Sequence, residues 1–124
     1  MAVVPFTMDA GISSVSGVVR DAEDELVIEY QSKILGLIPT DIKTIRIPFR
    51  EIDEVFFSSS LFKTRLRIIL KTLRSISSFP TPKQGEIQLK IARKNRQQAK
   101  ALASSVNLSV SKYYMEEDEN DDFV

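Results

Sequence analysis

Apolar and polar residues alternate with a period of two through most of the first ninety residues of this chain. In the segment FKTRLRIILK, Leu66, Ile68 and Leu70 occupy every second position. Cations occupy the positions between and around them until the pattern breaks at Ile69. Successive side chains of a β-strand point to opposite faces, so this pattern predicts a strand with one buried and one solvated face. The same alternation recurs in ELVIEYQS, IKTIRIPF, EIDEVFF and GEIQLKIA, and it predicts antiparallel strands joined by turns.

The pattern changes to that of a helix after Ala92. Apolar residues at positions i, i+3, i+4 and i+7 share one helix face. These residues are Ala99, Leu102, Ala103 and Val106. Asn95 and Gln98 have the spacing of a capping box, and Asn107 is a suitable C-terminal stop. We expect one helix from about residue 95 to about residue 107, which is too short to be stable unless it docks on the sheet.

These elements predict a mainly β domain of about seven antiparallel strands followed by one C-terminal helix. An orthogonal β-sandwich or partly open barrel leaves an open end, which one amphipathic helix can cap. Residues 1–11 are assigned to an N-terminal extension, and residues 12–112 to the domain. The segment MEEDENDDFV has too little apolar surface to offset its ordering cost, so residues 113–124 are expected to form a disordered acidic tail.

The amino-acid composition bounds the chemistry available to the chain. Its 124 residues suffice for one domain, and an apolar share of 43% suffices for one modest core. The chain has no cysteine and no histidine, which excludes disulfides and thiolate or imidazole metal sites. The sequence carries no glycine-rich phosphate loop, no G-x-S-x-G and no paired metal motif. We therefore expect no metal, no cofactor and no enzymatic activity.

The hydropathy of the chain also bears on its location. No apolar run approaches the roughly 18 residues of a membrane-spanning helix. No basic region precedes an apolar block at the N-terminus. The sequence thus predicts neither a transmembrane segment nor a secretory signal peptide, and the expected location is the cytoplasm.

Core and turn positions carry a family resemblance. The matching positions are Ile47, Pro48, Ile52, Val55, Gly85, Glu86, Ile87, Leu89, Ile91, Arg93, Lys94 and Arg96. Over about residues 10–108 the chain resembles small bacterial proteins of the pleckstrin-homology-like superfamily, whose strands run in meander order and are capped by one C-terminal helix. The resemblance implies that fold. It also implies binding of phosphoinositides, peptides or other protein chains, without selecting among them.

The first predicted hairpin departs from the phosphoinositide-binding members of that superfamily. Those members often carry a basic K-x-n-(K/R)-x-R signature in this hairpin. Here the segment VVRDAEDELVIEY contains one cation, Arg20, and five carboxylates. Such a hairpin would repel a phosphorylated head group.

Charge is strongly sorted along the chain, although the net charge is zero. Residues 63–112 contain 12 basic residues and one acidic residue, whereas residues 113–124 contain six acidic residues and no basic one. The candidate patch for an anionic partner consists of Arg65, Arg67, Lys71, Lys90, Arg93, Lys94 and Arg96. These cations are either the solvated face of an ordinary sheet or a surface that attracts anionic lipid or an acidic peptide. No nucleic acid is expected, because Phe79 is the only aromatic residue between residues 63 and 112.

A second candidate surface is apolar. It consists of Leu35, Leu37, Ile38, Phe56, Leu61 and Phe62. In one interpretation the loop from Ile34 to Ile38 plugs the open end of the barrel. In the other, these side chains are exposed and bind a partner or a second copy of the chain.

The sequence therefore predicts a non-catalytic binding or assembly module. Its expected partner is another protein or a second copy of the chain, engaged through the apolar residues. The alternative is a peripheral module that binds anionic lipid or phosphoinositide surfaces through the basic strand face. Because strand cations two residues apart are about 6.6–7 Å apart, they do not converge on one phosphate, and any lipid binding should be weak and unselective.

Overall fold

The computed structural model describes residues 3–35, 37–72, 79 and 85–121. In this part of the chain, eight strands form one antiparallel sheet. Their bounds are β1 Val3–Ala10, β2 Ser13–Asp21, β3 Glu25–Ile34, β4 Ile38–Pro39, β5 Lys43–Pro48, β6 Ile52–Ser59, β7 Thr64–Leu70 and β8 Glu86–Ile91. One α-helix, α1, spans Arg96–Asp121, and 3-10 turns span Phe49–Glu51 and Arg93–Asn95.

The sheet is a partly open barrel with β1 near its middle. The strands lie in the order β4, β3, β2, β1, β8, β7, β6, and β5 also pairs with β3. Within the described residues no ladder joins β5 to β6, so the barrel stays open between these two strands. The helix packs over this gap, against β6 and the 3-10 turn at Phe49–Glu51. The predicted fold class is confirmed, and the architecture is compatible with a pleckstrin-homology-like barrel.

One hydrophobic core fills the interior. The predicted alternation holds on β7, where Leu66 and Ile68 are 0% and 1% exposed. Equivalent positions on the other strands and on the apolar stripe of α1 join the same cluster, including Leu102 at 1% exposure. Burying a side chain of this size contributes about 1.5–3 kcal/mol to stability.

The N-terminal segment is a core strand and not an extension, which corrects the predicted domain boundary. Val4, Phe6 and Met8 are 0%, 3% and 2% exposed, and β1 pairs with β2 along its whole length. Pro5 within this segment disfavours a central strand because it cannot donate to a ladder. The structure accommodates Pro5 because β1 pairs with β8 only around Thr7, which leaves part of one side of β1 without a ladder.

The helix is also longer than the sequence predicted. It continues to Asp121, so residues 113–121 are helical and not a disordered tail, and residues 122–124 lie outside the described part. Val110 is 4% exposed and Tyr114 packs against the core, which extends the apolar stripe two turns beyond Val106. Asn95 is the last residue of the preceding 3-10 turn, and its side chain does not cap the helix as the sequence predicted.

Asn107, predicted to stop the helix, instead fastens it to the edge of the barrel. The Val55 N–H donates to Asn107 Oδ1 at 2.8 Å, and Asn107 Nδ2 donates to the Val55 carbonyl at 2.8 Å. The side-chain amide thus binds β6 as a residue of a neighbouring strand would. Ser105 adds a second attachment, since its hydroxyl donates to Asp21 Oδ2 at 2.8 Å.

Gly17 marks a place where β2 and β3 approach too closely for a side chain. A Cβ at this position would lie 2.0 Å from the Glu29 carbonyl oxygen and 2.8 Å from the Tyr30 Cα. The observed register is continuous through Gly17 on both sides, so close backbone approach is the reason for glycine.

We predict that Gly17→Ala lowers the free energy of unfolding by about 2–3 kcal/mol, because backbone atoms must move apart to admit the methyl group. Gly11→Ala is the matched control. Gly11 has a φ of 65° but no atom within 4 Å of its Cβ position, so it should lose only about 1 kcal/mol. Urea denaturation measures both values, and equal losses would contradict the close-approach explanation.

We also predict that Asn107→Ala costs about 1–3 kcal/mol, because the N–H and the carbonyl of Val55 both lose their partner. Asn107→Asp should be at least as damaging, since a carboxylate oxygen would face the Val55 carbonyl. The control is Ser104→Ala on the exposed side of α1. Denaturant midpoints test this, and an Asn107→Asp protein as stable as the wild type would refute it.

Candidate functional site

The strand β7 presents its cations on the outer face of the barrel. Arg67 is exposed and Arg65 is half-buried, whereas Leu66 between them faces the core. The cross-strand neighbour of Arg65 is Lys90 on β8, so these two cations share the outer face. The structure therefore brings together the strand residues of the predicted patch for an anionic partner.

Carboxylates neutralise two of these three strand cations. Arg67 Nε donates to Glu86 Oε1 at 2.6 Å, and the Lys90 ammonium donates to Asp9 Oδ2 at 2.6 Å. The hydrogen bond with Glu86 and the negative charge of this residue raise the pKa of Arg67. The Arg67 guanidinium carbon also lies 5.6 Å from the centroid of the Phe56 ring, within cation–π range. Most of the strand face is thus a solvated, charge-paired surface.

Lys71 does not belong to this face. Its ammonium lies 3.7 Å from the centroid of the Tyr114 ring on α1, and its backbone N–H donates to the Glu51 carbonyl. The side chain therefore connects the end of β7 to the second half of the helix. The sequence could not show this, because the two residues are far apart in the chain and Tyr114 was assigned to the tail.

The cations at the start of the helix form a second group. Arg93, Lys94 and Arg96 are exposed and line a shallow hollow together with Gln97. No carboxylate of the described residues forms an ion pair with any of the three. The predicted patch thus divides into a mostly neutralised strand group, an unpaired group at the helix start, and Lys71 elsewhere.

The predicted apolar patch divides between two ends of the barrel. Leu35 and Leu37 lie in the turn between β3 and β4, which is joined to the turn between β1 and β2 by a hydrogen bond from the Leu35 N–H to the Ile12 carbonyl. Leu61 and Phe62, in the turn between β6 and β7, form the other group. Phe56 belongs to neither end, because it lies in the middle of β6, opposite Arg67 of β7. The side chain of Ile38 lies outside the described residues.

The strand register separates these two groups. β8 runs antiparallel to β1, with Lys90 opposite Thr7. The C-terminal end of β8, at Ile91, therefore lies away from the turn between β1 and β2. Thr64, which directly follows the turn between β6 and β7, pairs with Ile91. The two turns therefore lie at opposite ends of the strands.

The turn between β3 and β4 does not plug the barrel, because Leu35 and Leu37 are 68% and 82% exposed. Phe79 is buried instead, with its ring edge-on to that of Tyr30 at 4.8 Å between centroids. The exposed interpretation of this turn is therefore the one that the geometry favours. The sequence did not identify Ile12, which is 72% exposed beside Leu35. The two residues are far apart in the chain, and only the pairing of β2 with β3 brings them together.

The acidic first hairpin is partly neutralised. Glu25 forms an ion pair with Arg46 at 2.6 Å, and Glu29 forms one with Arg20 at 3.5 Å. Val27 lies between these carboxylates and is fully buried. Its cross-strand neighbours are Arg20 and Arg46, whose aliphatic stems are positioned to cover it.

A cleft of about 630 Å³ lies between the β2–β3 turn, the 3-10 turn at Phe49–Glu51 and the second half of α1. Its lining residues are Glu23, Asp24, Glu25, Pro48, Phe49, Arg50, Ser109, Lys112, Tyr113 and Glu116. Both signs of charge line it, so it does not favour one class of ligand. In the described part of the chain, no group of three carboxylates is arranged to hold a metal ion.

Comparisons with known proteins add no relative. A scan against protein-family models, a search of curated proteins and a search of solved structures each found no match. None of the described helical segments combines the length and the apolar character needed to cross a bilayer. Any inference about function therefore rests on the basic and apolar surfaces described above.

The contact of Lys71 with Tyr114 generates a prediction. Tyr114→Ala should lower the free energy of unfolding by about 1–2 kcal/mol, because it removes a partly buried ring and the contact of that ring with the Lys71 ammonium. The control is Tyr113→Ala at the adjacent, more exposed tyrosine, which should cost less. Thermal or urea unfolding compares the two, and a larger loss from Tyr113→Ala would show that the helix face is misassigned.

Proposed function

We propose that this chain is a non-catalytic assembly module of the pleckstrin-homology-like class, similar to its small bacterial members, and that it self-associates. The contact surface is the apolar rim, which we define as Ile12, Ile34, Leu35 and Leu37. The exposure of these four side chains at one end of the barrel carries the proposal. Their exposed fractions run from 38% for Ile34 to 82% for Leu37.

The backbone of the rim supports this proposal. Leu35 has a φ of 52°, a left-handed conformation that costs a residue with a Cβ roughly 1–2 kcal/mol. Asparagine or glycine would fit this turn with less strain and would not expose a large apolar side chain. Two hydrogen bonds hold the turn in place, from Leu35 N–H to the Ile12 carbonyl and from Leu37 N–H to the Ile34 carbonyl. The leucine is thus presented on a fixed support, as an interface residue would be.

The charges around the rim suit a second copy of the chain. Lys33 and Asp41, which flank the turn between β3 and β4 in the sequence, have opposite signs and are both exposed. A self-complementary contact repeats one surface on both partners, so a strong charge of one sign would oppose it. This rim carries no such excess.

The alternative function, recognition of an anionic lipid surface through the strand face, has less support. Arg67 and Lys90 are engaged by Glu86 and Asp9, which leaves Arg65 as the one strand cation of the patch without an ion pair among the described residues. Exposed ion pairs of this kind contribute little to stability. They do reduce the positive potential that the strand would present to a lipid.

The experiment is equilibrium sedimentation of the full chain over a wide range of concentration. We expect a monomer–dimer equilibrium that Leu35→Asn with Leu37→Ser abolishes, while the melting temperature stays equal or rises because asparagine relieves the strained turn. The control is Leu61→Ser with Phe62→Ser, which removes similar apolar surface at the other end of the strands. A monomeric wild type, or a dimer lost only in the control, would overturn the proposal.

A further inference from the structure

The turn between β6 and β7 exposes two large apolar residues on a closed, hydrogen-bonded support. The Ser60 N–H donates to the Lys63 carbonyl at 2.7 Å, and the Ser59 and Thr64 hydroxyls are 3.0 Å apart. At its tip Leu61 is 72% exposed and Phe62 is 93% exposed. The fold therefore makes almost no use of the Phe62 ring, although it fixes the turn that carries it.

The strand register places this turn beside the start of the helix. Thr64 pairs with Ile91, the last residue of β8, and the chain then enters the 3-10 turn at Arg93–Asn95. Cations from two separate parts of the sequence therefore lie at the same end of the barrel as the apolar tip. We call this surface the basic tip, and its members are Leu61, Phe62, Lys63, Arg65, Arg93, Lys94 and Arg96.

The cations of the basic tip are not neutralised. None of its five Lys and Arg side chains forms an ion pair with a carboxylate of the described residues. Lys63 and Arg65 line a shallow hollow with Ser58, Ser59 and Ser60. Glu86, the one acidic residue between 63 and 112, lies at the opposite end of β8.

We propose that the basic tip docks the protein on an anionic membrane surface, with Leu61 and Phe62 entering the interfacial layer and the five cations facing lipid phosphates. This inference is independent of the assembly function of the rim. Aromatic and aliphatic side chains beside lysine and arginine are the composition that binds a lipid interface.

The geometry predicts charge-dependent binding without selection of one head group. The five cations come from the hairpin and from the helix start, and they line two separate hollows. They therefore spread over an area and do not converge on one phosphate, which specific recognition requires. Binding should follow the density of anionic lipid and weaken as salt rises.

The first experiment uses the absence of tryptophan from the chain, so that one introduced residue reports its own surroundings. We expect the emission of Phe62→Trp to shift to the blue with phosphatidylcholine vesicles that contain phosphatidylserine, and not with pure phosphatidylcholine. Leu37→Trp in the apolar rim is the matched control and should not shift. A shift of Leu37→Trp alone would show that the rim, and not the basic tip, meets the bilayer.

The second experiment measures vesicle co-sedimentation of the full chain at low and physiological salt. Lys94→Glu with Arg96→Glu should weaken binding by at least tenfold, since each cation near an anionic surface contributes about fivefold. Lys33→Glu with Lys43→Glu makes the same charge change near the rim and should have a much smaller effect. Phosphoinositide vesicles matched for total charge should bind like phosphatidylserine vesicles.

Three results would overturn the proposal. One is no binding of the wild type to anionic vesicles at low salt. Another is strong preference for a single phosphoinositide at equal charge. The third is binding to soluble polyglutamate that Phe62→Ser leaves unchanged, together with no vesicle binding, which would identify an acidic polypeptide as the partner of these cations.

Discussion

The gap between β5 and β6 is the constraint on which the rest of this structure depends. A sheet edge offers unpaired N–H and carbonyl groups, and an uncovered edge invites pairing with another chain. Here the helix closes the edge at Val55 through the Asn107 side chain. Because this residue fixes both the rotation and the height of α1, it also fixes which helix residues face the core. The positions of the helix start and of Tyr114 follow from the same attachment.

The strands could be predicted because their signal is local. On β7 the alternation of apolar and charged residues identifies the inner face without knowledge of any other strand. The β1 strand was missed because Pro5 is a local signal against a central strand, and only the incomplete ladder with β8 explains why it is tolerated. The helix end was missed for a similar reason. Asn107 is a common stop residue, and its actual partner lies 52 positions earlier in the chain.

The candidate surfaces were predictable as residue types but not as arrangements. The sequence identifies Arg67 and Lys90 as outward cations, but their carboxylate partners lie 19 and 81 positions away. Neutralisation of the strand face therefore depends on the order in which strands pair. The arrangement of the apolar residues also depends on strand pairing, since Leu35 and Phe62 are both exposed but lie at opposite ends of the strands. For the loop from Ile34 to Ile38 the sequence left a buried plug and an exposed surface as alternatives, and the exposure of Leu35 and Leu37 in the folded chain excludes the plug.

The opposite placement of the apolar rim and the basic tip has a consequence for how the two proposals combine. When the basic tip rests on a bilayer, the rim points away from it and stays accessible to a second copy. A symmetric dimer formed through two rims then carries its basic tips at its two far ends. These tips cannot both reach one flat surface, so dimerisation should give little gain in avidity for a single vesicle. The same dimer can instead connect two anionic surfaces, and clustering of vesicles would then require both Leu37 and Phe62.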